Sequence, residues 1–411
     1  MSNRSSHSKI TKDLKIGILG SGLMGHGIAY VSALSGMEVV ITDISQLKLD
    51  SGLKRIKKHF NDSLNQGFIT EKRMYKALSN INATVDYREL SGSDLIIEAV
   101  YENRELKTKL IAKVEKYLSP DGIFASNTST ILITRLAKKS IQPEKFVGIH
   151  FFSPVHKMKL VEIIKGEKTN SETLDKAVEF VRQISKVPII VNDSSGFYTT
   201  RVFERYTGEG MALLTEGNSA ELIESIAKKA GFPIGPLAVI DEISIELVEH
   251  IRSEMSHELK IGDKELPSDS WDQVIDLMIR QVKRTGRSGK GGFYEYPKNG
   301  KKFLWPDLEK YFPLSENQLS EKEMMDRFYF SQAIESIRCY EENVITSVKD
   351  ANVGSVLGWG FPSYKGGTLQ FANDYGLINF RNRCQELADK YGKRFTPPKL
   401  LDQMVEKGET F

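Results

Sequence analysis

Leu14–Leu19 (LKIGIL) is a short apolar run, followed at once by Gly20, Gly22 and Gly25 in the pattern G-x-G-x-x-G. IAYVSALSG then carries apolar residues at helical spacing, and MEVVITD is a second apolar run ending on Asp43, 23 positions after Gly20. Three glycines alone are a weak signal. Between a strand and a helix, with an acidic residue closing the next strand, they match the context a dinucleotide-binding turn requires. Gly20 allows the tight turn, Gly22 lets a pyrophosphate approach the backbone, and Gly25 lets the helix pack on the strand. Leu23 and Met24, between those glycines, belong to the same cofactor-binding turn. The helix start presents amides and a positive dipole end to phosphate. Asp43 would accept from a ribose 2′-hydroxyl and repel a 2′-phosphate, so the expected cofactor is NAD rather than NADP.

Strand–helix alternation continues to about residue 195, which predicts a doubly wound, mostly parallel sheet. SDLIIEAV, DGIFAS, FVGIHFFSPV, KLVEIIKG and VPIIVND read as strands, and ENRELKTKLIAKVEKYL and SETLDKAVEFVRQI as helices. On such sheets ligands sit at the strands' carboxyl ends. Asp43, Glu102, Ser129 and His150 all fall at or just past such ends.

Beyond NDSSGFYTTR the pattern changes to long helices and then repeats itself. A helix, a polar turn and GFP recur at Gly231–Pro233 and Gly360–Pro362, roughly 129 residues apart. The expected fold is therefore an N-terminal Rossmann-like α/β domain followed by an all-α region built from a duplicated helical unit. The expected boundaries are a tail at 1–13, the NAD-binding domain at 14–195, a first helical domain at 196–300, a linker at 301–319 and a second helical domain at 320–411. GRSGKGGFYEYPKNGKKFLWP, between the copies, reads as a hairpin closing the first unit.

Charge narrows the function. With 57 basic and 54 acidic residues in 411, nothing favours nucleic acid or a membrane surface as partner. Two cysteines, Cys339 and Cys384, are too few for a disulfide framework or a thiolate metal site, and no metal is expected. The polar start lacks the apolar stretch of a secretory signal, and no run is long enough to span a bilayer. The expected location is cytoplasmic.

His150 ends a strand, and a histidine's ordinary pKa of about 6.5 suits a general base. Glu162 lies 12 residues on, a spacing that lets the chain return and bring a carboxylate to the imidazole. His156, on the intervening loop, is the histidine to exclude. Lys54, Arg55, Lys57 and Lys58 in GLKRIKKHF form a basic helical face, and Lys54 and Lys57 are its candidates for binding substrate phosphates.

GSGLMGHGIA, EAVYENRELK, ASNTST, GIHFFSPVHKMKLVEII, NDSSGFYTTR and GFPIGP, in that order, resemble the L-3-hydroxyacyl-CoA dehydrogenase family. The likeness runs from about residue 14 to 411. With the duplicated helical half and the closing RFTPPKLLDQMVEKGETF, it resembles the dehydrogenase portion of multifunctional fatty-acid β-oxidation enzymes, the trifunctional alpha subunit included. The hydratase portion of those enzymes has no counterpart in this sequence. The resemblance implies NAD-dependent oxidation of (S)-3-hydroxyacyl-CoA to 3-oxoacyl-CoA in fatty-acid β-oxidation, with His150 paired to Glu162 as base and Ser129 bonded to the substrate's 3-oxygen. It implies Glu102 and Lys107 beside the cofactor, and Asn127 against either ligand. Ser153 and Thr200 fall at substrate-side positions where single-copy members carry asparagine, and the trifunctional subunit shares both changes. Single-copy relatives dimerise through the first helical unit, so the second copy is expected to pack on the first as a partner subunit would. The chain itself is expected as monomer or homodimer, and association with a separate enoyl-CoA hydratase or thiolase stays open. Two alternatives stand beside this reading. One is a catalytically weak NAD-binding scaffold subunit, and the other is a specialist for short or branched 3-hydroxyacyl-CoA.

Overall fold

Apolar, β-branched runs supply the strands of one eight-stranded sheet. The computed structural model describes residues 14–260, 271–289 and 291–411; the tail expected at 1–13 lies outside the described residues. Along the chain come β1 (Lys15–Leu19), α1 (Gly25–Leu34), β2 (Glu38–Thr42), α2 (Gln46–Asn65), α3 (Glu71–Ser79) and β3 (Ile81–Thr84). Then follow β4 (Ser93–Glu98), α4 (Arg104–Val114), β5 (Leu118–Ser126), α5 (Ile133–Ala137), β6 (Phe146–Phe151), β7 (Leu160–Lys165), α6 (Ser171–Gln183) and β8 (Val187–Asn192). The strand order is β3-β2-β1-β4-β5-β6-β7-β8. Pairing is parallel from β3 through β6, and β7 runs antiparallel to β6. That reversal sets His150 directly opposite Glu162 in the β6–β7 register. Ile16, Ile18, Val39, Ile41, Leu95, Ile97, Val147 and Ile149 are buried and join the core under the helices. Side chains of Ser45, Thr70, Asn103 and Asn170 cap α2, α3, α4 and α6 at their first turns, which satisfies otherwise unpaired amides. No side chain caps α1.

The chain divides into two compact units. The first runs to Thr128 and resumes at Ile133–Pro188; the second is Ser129–Leu132 with Ile189–Phe411. The division thus separates residues 129–132 and 189–195 from the remainder of the expected 14–195 domain.

The second unit contains α7 (Thr199–Thr215), α8 (Ala220–Lys229), α9 (Pro236–Ile243), α10 (Ile245–Lys260), α11 (Asp272–Asp276), β9 (Tyr294–Glu295) and β10 (Phe303–Leu304). It continues with α12 (Leu308–Tyr311), α13 (Glu321–Glu341), α14 (Val348–Trp359), α15 (Thr368–Tyr375), α16 (Leu377–Tyr391) and α17 (Lys399–Lys407). The antiparallel β9–β10 pair forms the hairpin read from its glycines and aromatics. Within 301–319, expected as a linker, the chain forms β10 and α12, and Ser315 and Gly217 bond through their backbones.

The two helical copies meet reciprocally. Arg201 on α7 pairs with Glu335 and Glu342, each at 2.6 Å. Arg327 on α13 pairs with Glu209 and Glu216. Arg201, Glu209 and Glu216 correspond to Arg327, Glu335 and Glu342 at one constant spacing along the chain. The GFP turns repeat the exchange. A Cβ on Gly231 would press on Pro362, and one on Gly360 would press on Pro233. Residue i meeting j while j's counterpart meets i's is the signature of an isologous, two-fold contact, here made inside one chain.

Candidate active site

The glycine turn is packed tightly at two positions and open at the third. Gly20 sits at φ +96° with its amide bonded to the Thr42 carbonyl at 2.8 Å. A side chain is disfavoured at that φ, and a Cβ there would also come within 2.8 Å of the Ala99 carbonyl. A Cβ on Gly25 would overlap the Gly20 carbonyl oxygen, whereas one on Gly22 meets nothing within 4 Å. Two glycines are therefore demanded by the fold, and the third leaves backbone open. Leu23 is exposed and Met24 half-buried beside it, at the uncapped start of α1. Uncapped amides, open backbone and an acidic residue at the β2 end together fit a dinucleotide.

Asp43 is held in place by a residue sequence reading passed over. Ser21 donates to its Oδ2 from the amide at 2.8 Å and from the hydroxyl at 2.7 Å, and Ile44 donates to Oδ1. Burial opposes ionisation, but these bonds outweigh it and hold the carboxyl below its ordinary range. Each carboxylate oxygen accepts more than one bond, so the group can still take a ribose hydroxyl.

At the β4–β5 ends lies a buried charge network. Lys107, almost fully buried, places its ammonium 3.0 and 2.9 Å from the two Glu98 oxygens and 3.1 Å from Glu102. Glu102 also accepts from Thr128, and Glu98 from Ser126. Burial alone would push Glu98 toward neutrality, and the ammonium opposes that. Lys107 spends three donors here, as many as an ammonium has, and Glu102 is the more solvent-accessible of the two carboxylates. Asn127 stitches the next strands together. Its amide donates to the Glu98 carbonyl, and its Oδ1 accepts from the Phe151 amide at 2.8 Å, one residue past His150.

His150 Nδ1 lies 3.0 Å from Glu162 Oε2, with the carboxylate fully buried and the ring nearly so. A carboxylate accepts only, so Nδ1 is the donor in this contact. The Phe152 ring sits 4.5 Å from the imidazole. His156 is engaged elsewhere. Its ring lies 4.2 Å from His59, which stacks on His26 at 5.2 Å. Burial and the two adjacent rings push His59 down to about 4, and burial lowers His26 and His156 as well. Ser153 is exposed on the same β6–β7 connection, and Lys54 and Lys57 are exposed on α2 beside Arg55 and Lys58. Ser129, half-buried in 129–132, and Thr200, on the first turn of α7, belong to the second unit. The glycine turn, Asp43, Glu102, Lys107, Asn127, His150 and Glu162 belong to the first.

Residues 15–194 match the model of the 3-hydroxyacyl-CoA dehydrogenase NAD binding domain, and residues 196–296 match that of the 3-hydroxyacyl-CoA dehydrogenase C-terminal domain. The chain belongs to the 3-hydroxyacyl-CoA dehydrogenase family. Solved members agree. (S)-3-Hydroxybutyryl-CoA dehydrogenase from Ralstonia eutropha is 32% identical with TM-score 0.64, covering 70% of this chain and 100% of its own. The dehydrogenase part of a multifunctional enzyme from C. elegans is 26% identical with TM-score 0.68, covering 95% of this chain and 90% of its own. A 3-hydroxybutyryl-CoA dehydrogenase from Escherichia coli, at 24% identity, shares the fold over 97% of this chain and 99% of its own with TM-score 0.80. As a 3-hydroxyacyl-CoA dehydrogenase the chain is an oxidoreductase whose first unit is the NAD-binding one. Among the described residues, no helix is long and apolar enough to cross a membrane.

Proposed function

We propose that this dehydrogenase oxidises (S)-3-hydroxyacyl-CoA to 3-oxoacyl-CoA in fatty-acid β-oxidation, with His150 as general base. The observation that carries the reading is the buried His150–Glu162 contact at 3.0 Å across the β6–β7 register. NAD, when bound, supplies the hydride acceptor. His150 Nε2 takes the 3-hydroxyl proton as C3 loses hydride, and Glu162 fixes the tautomer and stabilises the imidazolium that forms. The proton then passes to solvent, so the products are the 3-oxo thioester, NADH and a proton. Ser129 would bond the 3-oxygen and Asn127 would reach either ligand. Ser153 and Thr200 would line the substrate side, and Lys54 and Lys57 would meet coenzyme A phosphates. The R. eutropha relative, an (S)-3-hydroxybutyryl-CoA dehydrogenase, supports the short-chain alternative equally well. NADH formation from (S)-3-hydroxyacyl-CoAs of C4 to C16 decides between them. Turnover across the series supports general β-oxidation, turnover at C4 alone supports the specialist, and turnover with none sinks both.

Asp43 gives a second expected result. The wild-type chain should prefer NAD to NADP in kcat/KM by roughly a hundredfold, because a fixed carboxylate meeting a 2′-phosphate costs several kcal/mol. Asp43→Ser should close most of that gap, mainly through KM. A variant with unchanged cofactor preference would remove Asp43 from the discrimination.

A further inference from the structure

We propose that Lys186 is a positioning residue for the oxidation: its buried ammonium ties down the β6–β7 connection that holds His150 and Glu162 in register. The inference rests on the base assignment above.

Lys186 immediately precedes β8 and is only 8% exposed. Its Nζ donates to the carbonyls of Val155 and Met158, at 2.5 Å each, and the adjacent Val187 amide donates to the Lys159 carbonyl at 2.8 Å. The turn it grips bonds little to itself. The Lys157 and Met158 amides both go to the Pro154 carbonyl, and among the described residues Lys186 is the donor seen at the Val155 and Met158 carbonyls. On the other side, Val155 is seated against α1 so closely that a Cβ on Gly27 would lie 2.8 Å from its Cβ. The connection is thus clamped between the dinucleotide helix and the β8 start. His150 leaves it at one end and Glu162 returns at the other.

The clamp is costly, which argues against an incidental contact. Burial brings the Lys186 ammonium down to about 8, and among the described residues no carboxylate pairs with it. Two backbone carbonyls are what this buried cation serves. A carbonyl left without its donor in a buried turn is destabilising, so removing the ammonium loosens the connection. The cross-strand pair lies a few residues beyond it. Small displacements of a base from its near-attack geometry lower turnover steeply, whereas the glycine turn that binds NAD is built by other elements.

The test uses the full chain, NAD and (S)-3-hydroxybutyryl-CoA, with Lys186→Met, Lys186→Arg and Gly27→Ala. Lys186→Met should lower kcat by about tenfold or more per NADH-binding site, with NADH affinity by fluorescence and the KM for NAD held within about twofold. Lys186→Arg, which offers donors to the same carbonyls, should recover most of that kcat. Should Lys186→Met fail to fold, Gly27→Ala displaces the same connection from the α1 side and should give the same fall in kcat. Unchanged kcat per NADH-binding site in Lys186→Met, or equal impairment of Met and Arg variants, would overturn the proposal. Wild-type turnover in His150→Gln would overturn it together with the base assignment. An inactive His150→Gln beside an unaffected Lys186→Met would overturn the lysine's role alone.

Discussion

His150→Gln should lower kcat for (S)-3-hydroxyacyl-CoA oxidation by about 10²- to 10⁴-fold, the usual worth of a positioned base, while NADH affinity stays near wild type. The separation follows from the architecture. The glycine turn, α1 and Asp43 sit on the β1–β2 side of the sheet, and His150 on β6. Glu162→Gln should fall by at least about a hundredfold, for a reason visible in the contact. The carboxylate can only accept from Nδ1–H, and this places the lone pair on Nε2. An amide offers either face to the ring, and its NH₂ face selects the opposite tautomer, with Nε2 protonated and no base available. Because the two residues act as one device, the double variant should be little worse than His150→Gln alone. Steady-state NADH formation for the three variants checks this. Equal kcat for wild type and His150→Gln would remove the base, and fully multiplicative losses would show that the two groups act independently.

What a sequence discloses here tracks how local the determining contacts are. The β1–α1–β2 turn is legible because strand, glycines, helix and Asp43 are contiguous, and Gly25 answers to Gly20, five residues away. The His150–Glu162 pair is legible for a related reason: two apolar strands joined by a short connection form an antiparallel pair, and a fixed register follows. β3, by contrast, is a four-residue edge strand with a half-polar sequence, INAT. It owes its existence to β2 rather than to any alternation of its own. Ser21 as a partner of Asp43, and Lys186 as a clamp on the 154–158 turn, depend on segments far apart in the chain, and neither residue type advertises such a contact. Lys107 shows the limit most clearly. A lysine in the first turns of a charged helix reads as solvated surface, yet the β4–β5 strand ends bury it between Glu98 and Glu102. The duplication is legible from GFP and helix length. Its reciprocal ion pairs emerge only when α7 and α13 are seen to pack.

Those ion pairs carry the largest expected stability effect. Glu335 is buried on α13 and faces Arg201 at 2.6 Å, Arg338 at 3.3 Å and Arg205 at 3.4 Å. Burial alone would raise its pKa; Arg205, Arg201 and Arg338 outweigh it and bring the carboxyl from 4.5 down to about 2. Glu335→Gln leaves guanidinium groups around a neutral amide, and stranding buried charge in this way costs about 3–5 kcal/mol. Linkage gives a figure of the same order, roughly 3 kcal/mol for a depression of that size. The sign follows from the depressed value. The stabilisation is complete above the unfolded carboxyl's pKa and drains away as pH falls from about 4.5 toward 2. Urea unfolding of the second unit should therefore separate wild type from Glu335→Gln widely at pH 7 and about half as far at pH 3. Glu209→Gln, at the two-fold related position against Arg327 and Arg394, should lose a comparable amount. Glu216→Gln, partly exposed at the rim, should cost less than about 1 kcal/mol. A pH-independent gap between wild type and Glu335→Gln would show that the carboxylate acts by packing and not by charge. An unmoved midpoint would mean that the two helical copies are held together by their apolar faces, with the reciprocal arginines adding register but no stability.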